Sequence, residues 1–437
     1  MNYKEYLSIA IPFVIATVTQ PLLGAVDTAV IGRLGDASYV GGVAIGTVIF
    51  NTMYWLFGFL RVGTSGFSSQ SLGSGSEKEA HFAYFRPVII ALCISVLFML
   101  LQKPIIEGAF SLYAPDERVL HSAQDYFNVL IWGAPFVLLG YVNLGWIMGR
   151  KLIKETMILQ ISMNVINIVL DIVFVLYFDM GVKGVAYATL IAQVYGFVLG
   201  MGIIFAHISP KRLLLFKEEL LNKAELKKIM SVNADLMIRT VCLLVMTNMF
   251  VARGNRFGVE ILAANAILFQ IQYIMCYLFD GLANASSIFA GRAIGAKNVA
   301  DFKETFHISH VMTGGLSVLL AILLVIIPAP IVALFTDMEA VQALCMAYMG
   351  WLVIFPFCIG IGLVYYGIFT GATFTKPVRD SMVVALVVFL AAYFLFIPYF
   401  DNHGLWLAFI LFSLTRSLYL YKEQKRLQER YFPSLTA

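Results

Sequence analysis

Long apolar segments recur along the whole chain, and short polar or Gly/Pro-rich loops separate them. They are far longer than the alternating segments of about ten residues that build a membrane barrel, so helices are expected to cross the membrane. Several exceed the length of about 20 residues that a bilayer requires, which implies that they tilt or extend beyond the hydrocarbon core. The pattern predicts twelve transmembrane helices, at 7–34, 40–67, 87–109, 124–148, 158–178, 183–206, 231–252, 261–289, 306–328, 343–370, 381–397 and 405–421.

Positive charges are distributed unevenly between alternate loops. With the N-terminus placed in the cytoplasm, 21 of the 30 Lys and Arg residues lie in cytoplasmic segments, 6 lie in outer loops or near the outer ends of spans, and 3 lie deeper within spans. Cytoplasmic loops of membrane proteins carry an excess of Lys and Arg. The distribution therefore predicts that both termini are cytoplasmic.

Composition agrees with an integral membrane protein and excludes several other classes. Of the 437 residues, 60% are hydrophobic and 13% are charged, with a mean hydropathy of +0.84. The net charge of +4 is dispersed over loops, so no nucleic-acid-binding surface is expected. Five cysteines without a CxxC pair indicate neither a disulfide framework nor a zinc site. The sequence contains no Walker or GxSxG motif, so neither ATP-driven transport nor hydrolysis is indicated.

The two halves of the chain share an internal repeat. Three short matches recur at a nearly constant offset in residue number, which is hard to obtain by chance. Each half then contains six spans, so the repeat is parallel and a cavity is expected between the two lobes, as in transporters. The matches are Gly145-x-x-x-Gly149 with Gly367-x-x-x-Gly371, Ala134-Pro135-Phe136 with Phe355-Pro356-Phe357, and Leu72-Gly73-Ser74-Gly75 with Ile294-Gly295-Ala296-Lys297. The predicted parts are an N-terminal lobe at 1–206, a cytoplasmic linker at 207–230, a C-terminal lobe at 231–421 and a cytoplasmic tail at 422–437.

The first span carries a carboxylate inside an apolar segment. Asp27 would cost roughly 2.5–3.5 kcal/mol at the bilayer centre even on a lenient scale, so it needs a partner or a function. Gln20 shares its helical face, and Pro12 and Pro21 each remove a backbone hydrogen bond and favour a bend. An acid on a bendable helix is typical of an ion-coupled switch. A permanently paired structural Asp is the alternative.

Spans 5 and 6 add polar side chains at a similar depth. Asn164, Asn167 and Asp171 follow i, i+3 and i+7 spacing and form one polar stripe on span 5, while span 6 contributes Thr189. At roughly 1.5 Å per residue, these side chains and Asp27 lie in the outer half of the N-terminal lobe. Carboxylates and neutral oxygen donors at one depth can bind a proton or Na⁺. The alternative is a hydrogen-bond network that only holds the lobe together.

The C-terminal half carries fewer ionisable residues within its spans. Asp235 and Arg239 open span 7 at i, i+4, a spacing that allows an ion pair within one helix. Asp280 in span 8 has no charged residue at helical spacing close by, and Arg61 in span 2 lies at a comparable depth, so Arg61 is its candidate partner across the lobes. Such residues form either a structural latch or a gate and second coupling site.

Methionine and aromatic side chains are scattered along the spans of the first half. Polarisable and adaptable side chains of this kind are typical of surfaces that bind chemically varied ligands. Lipid-facing or packing roles are the alternative for most of them. The candidate substrate-lining residues are Met53, Tyr54, Trp55, Tyr141, Met148 and Met163.

Taken together, six segments resemble the multidrug and toxic compound extrusion (MATE) transporters, specifically their DinF-type branch. The resemblance covers all twelve spans, and the segments are specific as a set, whereas each alone is weak. They are VDTAVIGRLGD at 26–36, FLRVGTSGFSSQSLG at 59–73, NIVLDIV at 167–173, GVAYATLIAQ at 184–193, NADLMIRT at 233–240 and LFDGLANASS at 278–287.

The resemblance implies an all-α integral membrane protein of two pseudo-symmetric six-helix lobes in a V shape, which exports compounds by alternating access in exchange for H⁺ or Na⁺. The family's cation site resembles Asp27, Asn167, Asp171 and Thr189, and its bending first helix resembles the segment with Pro12. Some members use an acid on the tenth helix. Span 10 here contains neither Asp nor Glu, which favours coupling in the N-terminal lobe, by protons.

The expected substrates are hydrophobic or cationic drugs and toxins, exported by a monomer in the cytoplasmic membrane of a prokaryote. Membrane lipids are the other expected partners, and no cofactor and no metal beyond Na⁺ are expected. A flippase for a lipid-linked substrate is an alternative. Such a protein would require a more cationic cleft than Arg61, Arg239 and Arg416 provide. A scaffold or receptor would not explain buried acids in a repeat, and no catalytic constellation indicates a membrane enzyme.

Overall fold

The computed structural model describes residues 2–32, 37–113, 117–209 and 217–433. Side chains within these ranges are described except at 18–29, 31–32, 37, 112–113, 217–218 and 255. All regular structure in the described ranges is helical. The first helices are α1 (Tyr3–Gly32), α2 (Ala37–Leu56), α3 (Phe59–Ser74), α4 (Glu77–Tyr113), α5 (Glu117–Leu130), α6 (Ala134–Gly149), α7 (Ile153–Asp171) and α8 (Gly181–His207). The remaining helices are α9 (Lys217–Leu220), α10 (Lys223–Asn255), α11 (Val259–Gly295), α12 (Val299–Ile326), α13 (Pro328–Ala333), α14 (Glu339–Gly371) and α15 (Lys376–Tyr431).

These helices account for the predicted spans. Within the described residues, ten helical segments are long and apolar enough to cross a membrane. Two of them join consecutive helices, α2 with α3 and α5 with α6. The last, α15, contains the final two spans, because Asp401 breaks its helical backbone with a φ of 48°. With α1 as the first span, the prediction of an all-α membrane protein is confirmed.

The chain divides into two compact units. Residues 18–230 form one, which we call the N-terminal unit, and residues 231–437 together with 1–17 form the other, the C-terminal unit. The long helix α1 therefore begins in one unit and ends in the other. Only the separation at 230/231 was expected from the sequence, since nothing local in α1 assigns its N-terminal part to the distant half.

Backbone geometry repeats at the same offset as the glycine motifs. Left-handed φ values occur in three pairs of residues, and the two members of each pair are separated by the offset that relates Gly145 to Gly367. A left-handed helical residue, such as Gly75, ends a helix by turning the chain back towards its last carbonyls, whereas Asp401, with a ψ of −124°, breaks α15 between its two spans. The repeat therefore extends to the turns that end corresponding helices. The pairs are Gly75 with Lys297, Lys151 with Thr373, and Asp179 with Asp401.

The repeated glycine motifs bring two helices of each unit into backbone contact. A Cβ on any of these four glycines would overlap the carbonyl group of the facing helix, so only glycine permits the approach. In the N-terminal unit α6 approaches α3, and in the C-terminal unit α14 approaches α11, with the contacted residues again related by the repeat offset. The contacts are Gly145 with Arg61, Gly149 with Ser65, Gly367 with Ala283, and Gly371 with Ser287.

Each unit is built around a buried tryptophan. In the N-terminal unit the indole N–H of Trp146 donates to the carbonyl oxygen of Ala80 at 3.0 Å. In the C-terminal unit Trp406 packs against Phe250 with 5.0 Å between ring centroids and donates to Oδ1 of Asn265 at 3.0 Å. A buried indole N–H needs such an acceptor, so these bonds fix the helices that surround each ring.

Candidate functional site

The polar residues of α7 face the interior of the N-terminal unit. Asn164, Asn167 and Asp171 are 6%, 3% and 0% exposed, whereas Val165 and Val169 are each 51% exposed. Their i, i+3 and i+7 spacing places the three polar residues on one helical face, as predicted. Burying a carboxylate and two amides is costly unless they are satisfied by other groups. This face of α7 is therefore the candidate site.

The helix α8 packs antiparallel to α7, and glycines set the register. A Cβ on Gly196 would meet Sδ of Met163 at 2.6 Å, so α8 approaches α7 closely there. A Cβ on Gly184 would meet Phe174 at 3.3 Å, in the single π-helical turn Ile172–Tyr177 that continues α7. Between these two contacts, each residue further along α7 faces a residue one position earlier on α8.

Extended along both helices, this register puts Thr189 near the height of Asp171 and Gln193 near the height of Asn167. The side-chain oxygens of Asn167, Thr189 and Gln193 are buried, and no donor among the described residues bonds to them. Such oxygens can accept a hydrogen bond from a protonated group or coordinate a small hard cation. Three predicted residues thus lie at neighbouring heights on two packed helices, and their joint role remains a prediction. Gln193, which was not predicted, lies one turn from Thr189. Its position four residues after Thr189 puts it on the same face of α8, and this spacing could have identified it from the sequence.

Three predicted residues lie on α1. The backbone of α1 is helical at Asp27 and Gln20, but their side chains lie outside the described residues. Their approach to α7 and α8 remains a prediction. Pro12 is half-buried within α1, and its role as a hinge is likewise untested.

The first half of α1 is bonded to α11 within the C-terminal unit. The hydroxyl of Tyr6 donates to the carbonyl oxygen of Leu282 at 3.0 Å and lies 2.7 Å from Oγ of Ser286. Further along, Oγ1 of Thr17 donates to the carbonyl oxygen of Tyr277 at 3.2 Å. These contacts hold α1 up to the residue at which the N-terminal unit begins.

The structure gives Asp235 a different partner from the one predicted. Its carboxylate is bound by Arg379 at 2.9 Å and by the hydroxyl of Thr375 at 2.9 Å, both at the start of α15. The predicted pair within α10 is replaced because these two groups reach the carboxylate from a packed helix. Arg239 instead lies over the ring of Tyr366, with 4.1 Å from its Cζ to the ring centroid.

Asp280 belongs to the same region as Arg239. Both Asp280 and Arg239 lie within electrostatic range of Arg416, which is 3% exposed on α15. Arg61 belongs to the N-terminal unit, where it lies within electrostatic range of Tyr141. The predicted pairing of Asp280 with Arg61 therefore remains untested, while Arg416 supplies a charge within one unit. Arg416 is one of three arginines predicted within spans, and nothing in its local sequence indicates that it lies near Asp280.

The candidate lining residues are mostly buried inside the N-terminal unit. Met53, Tyr54 and Met148 belong to its core, and Met163 packs against Gly196. Trp55 is 45% exposed. Burial of this kind is what packing requires, and a substrate-lining role remains a prediction.

A repeated, all-helical membrane protein with buried polar residues inside one repeat has the architecture of a secondary transporter. The family model MatE matches residues 12–173 and 236–396, one segment in each half and well over half of the chain. The chain therefore belongs to the MATE family, as the resemblance predicted, and it is a membrane transporter rather than an enzyme.

The relatives agree with this membership. The DNA damage-inducible protein F of Escherichia coli (strain K12) is 32% identical, over 95% of this chain and 91% of that protein, which confirms the resemblance to the DinF-type branch. The probable multidrug resistance protein NorM of Listeria monocytogenes serotype 4b (strain F2365) is 21% identical, over 91% of this chain and 87% of that protein. A solved outward-facing structure of a multidrug resistance MATE family transporter shares the fold, with a TM-score of 0.86, 18% identity, and coverage of 98% of this chain and 96% of that one.

Proposed function

We propose that this protein is an antiporter that exports hydrophobic, often cationic compounds across the cytoplasmic membrane in exchange for H⁺. The observation that carries the proposal is the buried polar face of α7, together with the buried oxygens of Thr189 and Gln193 on the neighbouring helix α8. Asp171, one residue of that face, is fully buried in an apolar unit, where a change of protonation changes local charge strongly. A relative named as a probable multidrug resistance protein supports drug-like substrates.

In the proposed cycle, Asp27 is the residue that exchanges the coupling proton. While Asp27 is deprotonated, the protein holds a hydrophobic or cationic substrate. Protonation from outside removes the charge, rearranges the Asn167–Asp171 network and allows α1 to bend, so that substrate leaves outward. This coupling requires that the proton and the substrate favour opposite conformations.

Two sequence features support coupling in the N-terminal lobe and the side from which protons would enter. The tenth span contains no Asp or Glu, which leaves the N-terminal acids as the coupling groups. The distribution of Lys and Arg supports cytoplasmic termini, so the outer half of the N-terminal repeat, with Asp27 and Asp171, lies towards the periplasmic or external side. Protons would then enter from outside, as export requires.

The decisive experiment uses purified protein in liposomes and follows transport of a fluorescent cationic dye. An imposed pH gradient and an imposed Na⁺ gradient are applied separately to wild type, Asp27→Asn and the control Asp179→Asn. Asp179 is exposed and adopts a left-handed φ of 53°, which Asn also tolerates, so the control removes a carboxylate of the same unit without new strain.

The proposal expects transport driven by the pH gradient alone, abolished by Asp27→Asn and retained by Asp179→Asn. Transport driven only by Na⁺ would show that the site binds a cation and that the protonation step is wrong. If neither gradient moves the dye and Asp27→Asn equals wild type, the lipid flippase becomes the better hypothesis.

A further inference from the structure

Two arginines of the C-terminal unit share one aromatic ring. The Cζ atoms of Arg239 on α10 and Arg416 on α15 lie 4.1 Å and 5.8 Å from the ring centroid of Tyr366 on α14. Both distances are within the range of cation–π attraction, which partly stabilises each guanidinium. Three helices that are distant in sequence therefore converge to place two positive charges inside an apolar unit.

The cluster is short of negative charge and of hydrogen-bond acceptors. Asp280 supplies one carboxylate within electrostatic range of Arg416, against two guanidinium groups that also repel each other. Nε of Arg239 and one terminal nitrogen of Arg416 are buried, and among the described residues neither has an acceptor. Unpaired donors and a net positive charge in an apolar interior are costly, and a bound anion would offset both costs.

The cluster is also partly accessible. Arg416 is buried, whereas Arg239, Tyr366 and Asp280 are each half-buried, so part of the cluster reaches the surface of the C-terminal unit. Planar guanidinium groups match carboxylate and sulfonate groups, and the Tyr366 ring offers an apolar surface beside them. A ligand with an anionic head and an apolar body fits both features.

We infer that Arg239, Arg416 and Tyr366 form a binding subsite for the anionic group of amphiphilic substrates, such as an organic carboxylate or sulfonate. This inference rests on the proposed function, since it assigns a second substrate class to the same exporter. It places acceptance of anions in the C-terminal unit, while the N-terminal unit carries the acids that exchange the coupling ion. The exporter would then transport zwitterionic and anionic amphiphiles in addition to cationic ones.

The test is equilibrium binding to the full-length protein in a neutral detergent. The probe is dansylaminoundecanoic acid, and its methyl ester is the matched neutral probe that reports hydrophobic partition alone. The acid is expected to bind wild type about tenfold or more tightly than the ester, the ratio expected for a hydrogen-bonded charge. The preference should disappear in Arg239→Gln and Arg416→Gln and persist in part in Arg416→Lys.

Arg253→Gln is the matched control variant. Arg253 also lies on α10, with its Cζ 5.5 Å from the ring centroid of Phe257. Its Nε is buried, and among the described residues no acceptor forms a hydrogen bond with it. Its distance from Arg239 is about 21 Å along the helix axis, at about 1.5 Å per residue. Removing it should leave the acid preference unchanged. Because Arg239 is half-buried, Arg239→Gln keeps the test decisive even if Arg416→Gln fails to fold, as judged by its elution volume and unfolding midpoint.

Equal binding of acid and ester to wild type, or an unchanged preference in folded Arg239→Gln, would overturn the inference. Displacement of the probe by short-chain phosphatidylglycerol but not by phosphatidylcholine would assign the subsite to a lipid headgroup and overturn the assignment to substrate. Binding needs no ion gradient, so Asp27→Asn should keep the acid preference even where antiport is lost. Failure of the antiport proposal and failure of this inference are therefore distinguishable.

Discussion

Gln193 lies one helical turn beyond Thr189 on α8, near the height of Asn167 on α7. Its amide oxygen is buried, and Gly133 leaves the room it needs, since a Cβ there would overlap that oxygen. An amide in this position can accept from a protonated carboxyl or coordinate a cation, and it can also orient Asn167. We therefore expect Gln193 to act with the predicted residues rather than as packing.

Replacing Gln193 by Leu should lower proton-driven dye transport about tenfold, because a hydrogen bond to a charged or protonated group contributes about 1.5–3 kcal/mol. The measurement is the liposome assay, run at equal protein density and with the unfolding midpoint recorded. Gln102→Leu is the control, since Gln102 on α4 bonds only to its own helix at Met99 among the described contacts. Equal transport by wild type and Gln193→Leu would remove Gln193 from the site.

Gly367 and Gly350 both lie on α14 but in opposite environments. A methyl group on Gly367 would overlap the carbonyl oxygen of Ala283, whereas nothing lies within 4 Å of a Cβ on Gly350. We expect Gly367→Ala to destabilise the protein by about 1–3 kcal/mol through forced separation of α14 from α11. Gly350→Ala should be neutral or stabilising by up to about 1 kcal/mol, because alanine favours a helix. Thermal unfolding midpoints in detergent compare the two, and similar midpoints would contradict the close approach.

At the scale of elements, α1 is held along only part of its length. Glu5 pairs with Arg292 at 3.1 Å, and the hydrogen bonds of Tyr6 and Thr17 continue the attachment to α11. Pro12 lies within this attached segment, and Val14 packs against Gly281 just beyond it. A bend near residue 18 would leave these contacts intact, whereas a bend at Pro12 would break those of Thr17. The contacts favour a hinge C-terminal to the one predicted from the sequence.

Hydrogen exchange can locate the hinge. On acidification, which protonates Asp27 in the proposed cycle, amide exchange should change in residues 18–32 and stay constant in residues 3–17. Only residues 18–32 would move in a bend near residue 18. Asp27→Asn mimics the protonated form and should show the altered exchange at neutral pH. Changes that begin before residue 12 would restore Pro12 as the hinge, and the attached helix α11 serves as the internal reference.

At the scale of the whole molecule, the repeat preserves backbone geometry while the buried chemistry differs. By the offset that relates Gly145 to Gly367, the residues equivalent to Asn167, Asp171 and Thr189 are Phe389, Tyr393 and Leu411, so the C-terminal unit has no copy of the candidate cation site. It carries Arg239 and Arg416 instead. Turns and glycine contacts are repeated because both units need the same helix packing, whereas polar residues are free to diverge once the fold is fixed.

The assignment of residues 1–17 to the C-terminal unit predicts how the protein can be divided. If the chain is divided by a cut within 210–216, the two parts should assemble when they are expressed together. The C-terminal part alone should be lost from the membrane, because the residues of α11 that bond to α1 would lack their partners. Membrane abundance measured by immunoblotting tests this. Adding residues 1–17 through a linker to the C-terminal chain should restore part of its abundance. Equal abundance with and without the partner chain would contradict the assignment.

Local signals in the sequence were sufficient for the helical class, the spans, the repeat and the inward face of Asn164, Asn167 and Asp171. The length of an apolar segment, its helical periodicity and a constant repeat offset are properties of short segments or of their spacing. They can therefore be recognised without knowledge of tertiary contacts. The glycine motifs belong here as well, because close helix approach requires glycine wherever the partner lies.

Only the tertiary structure decided which distant residues meet. It paired Asp235 with Arg379 instead of the nearby Arg239, and it placed Arg239 and Arg416 beside Tyr366. These pairings join helices that are far apart along the chain, and many helix arrangements satisfy the same apolar pattern. An ion pair forms with whichever group packing brings within reach of the carboxylate, and that depends on contacts that no single segment specifies.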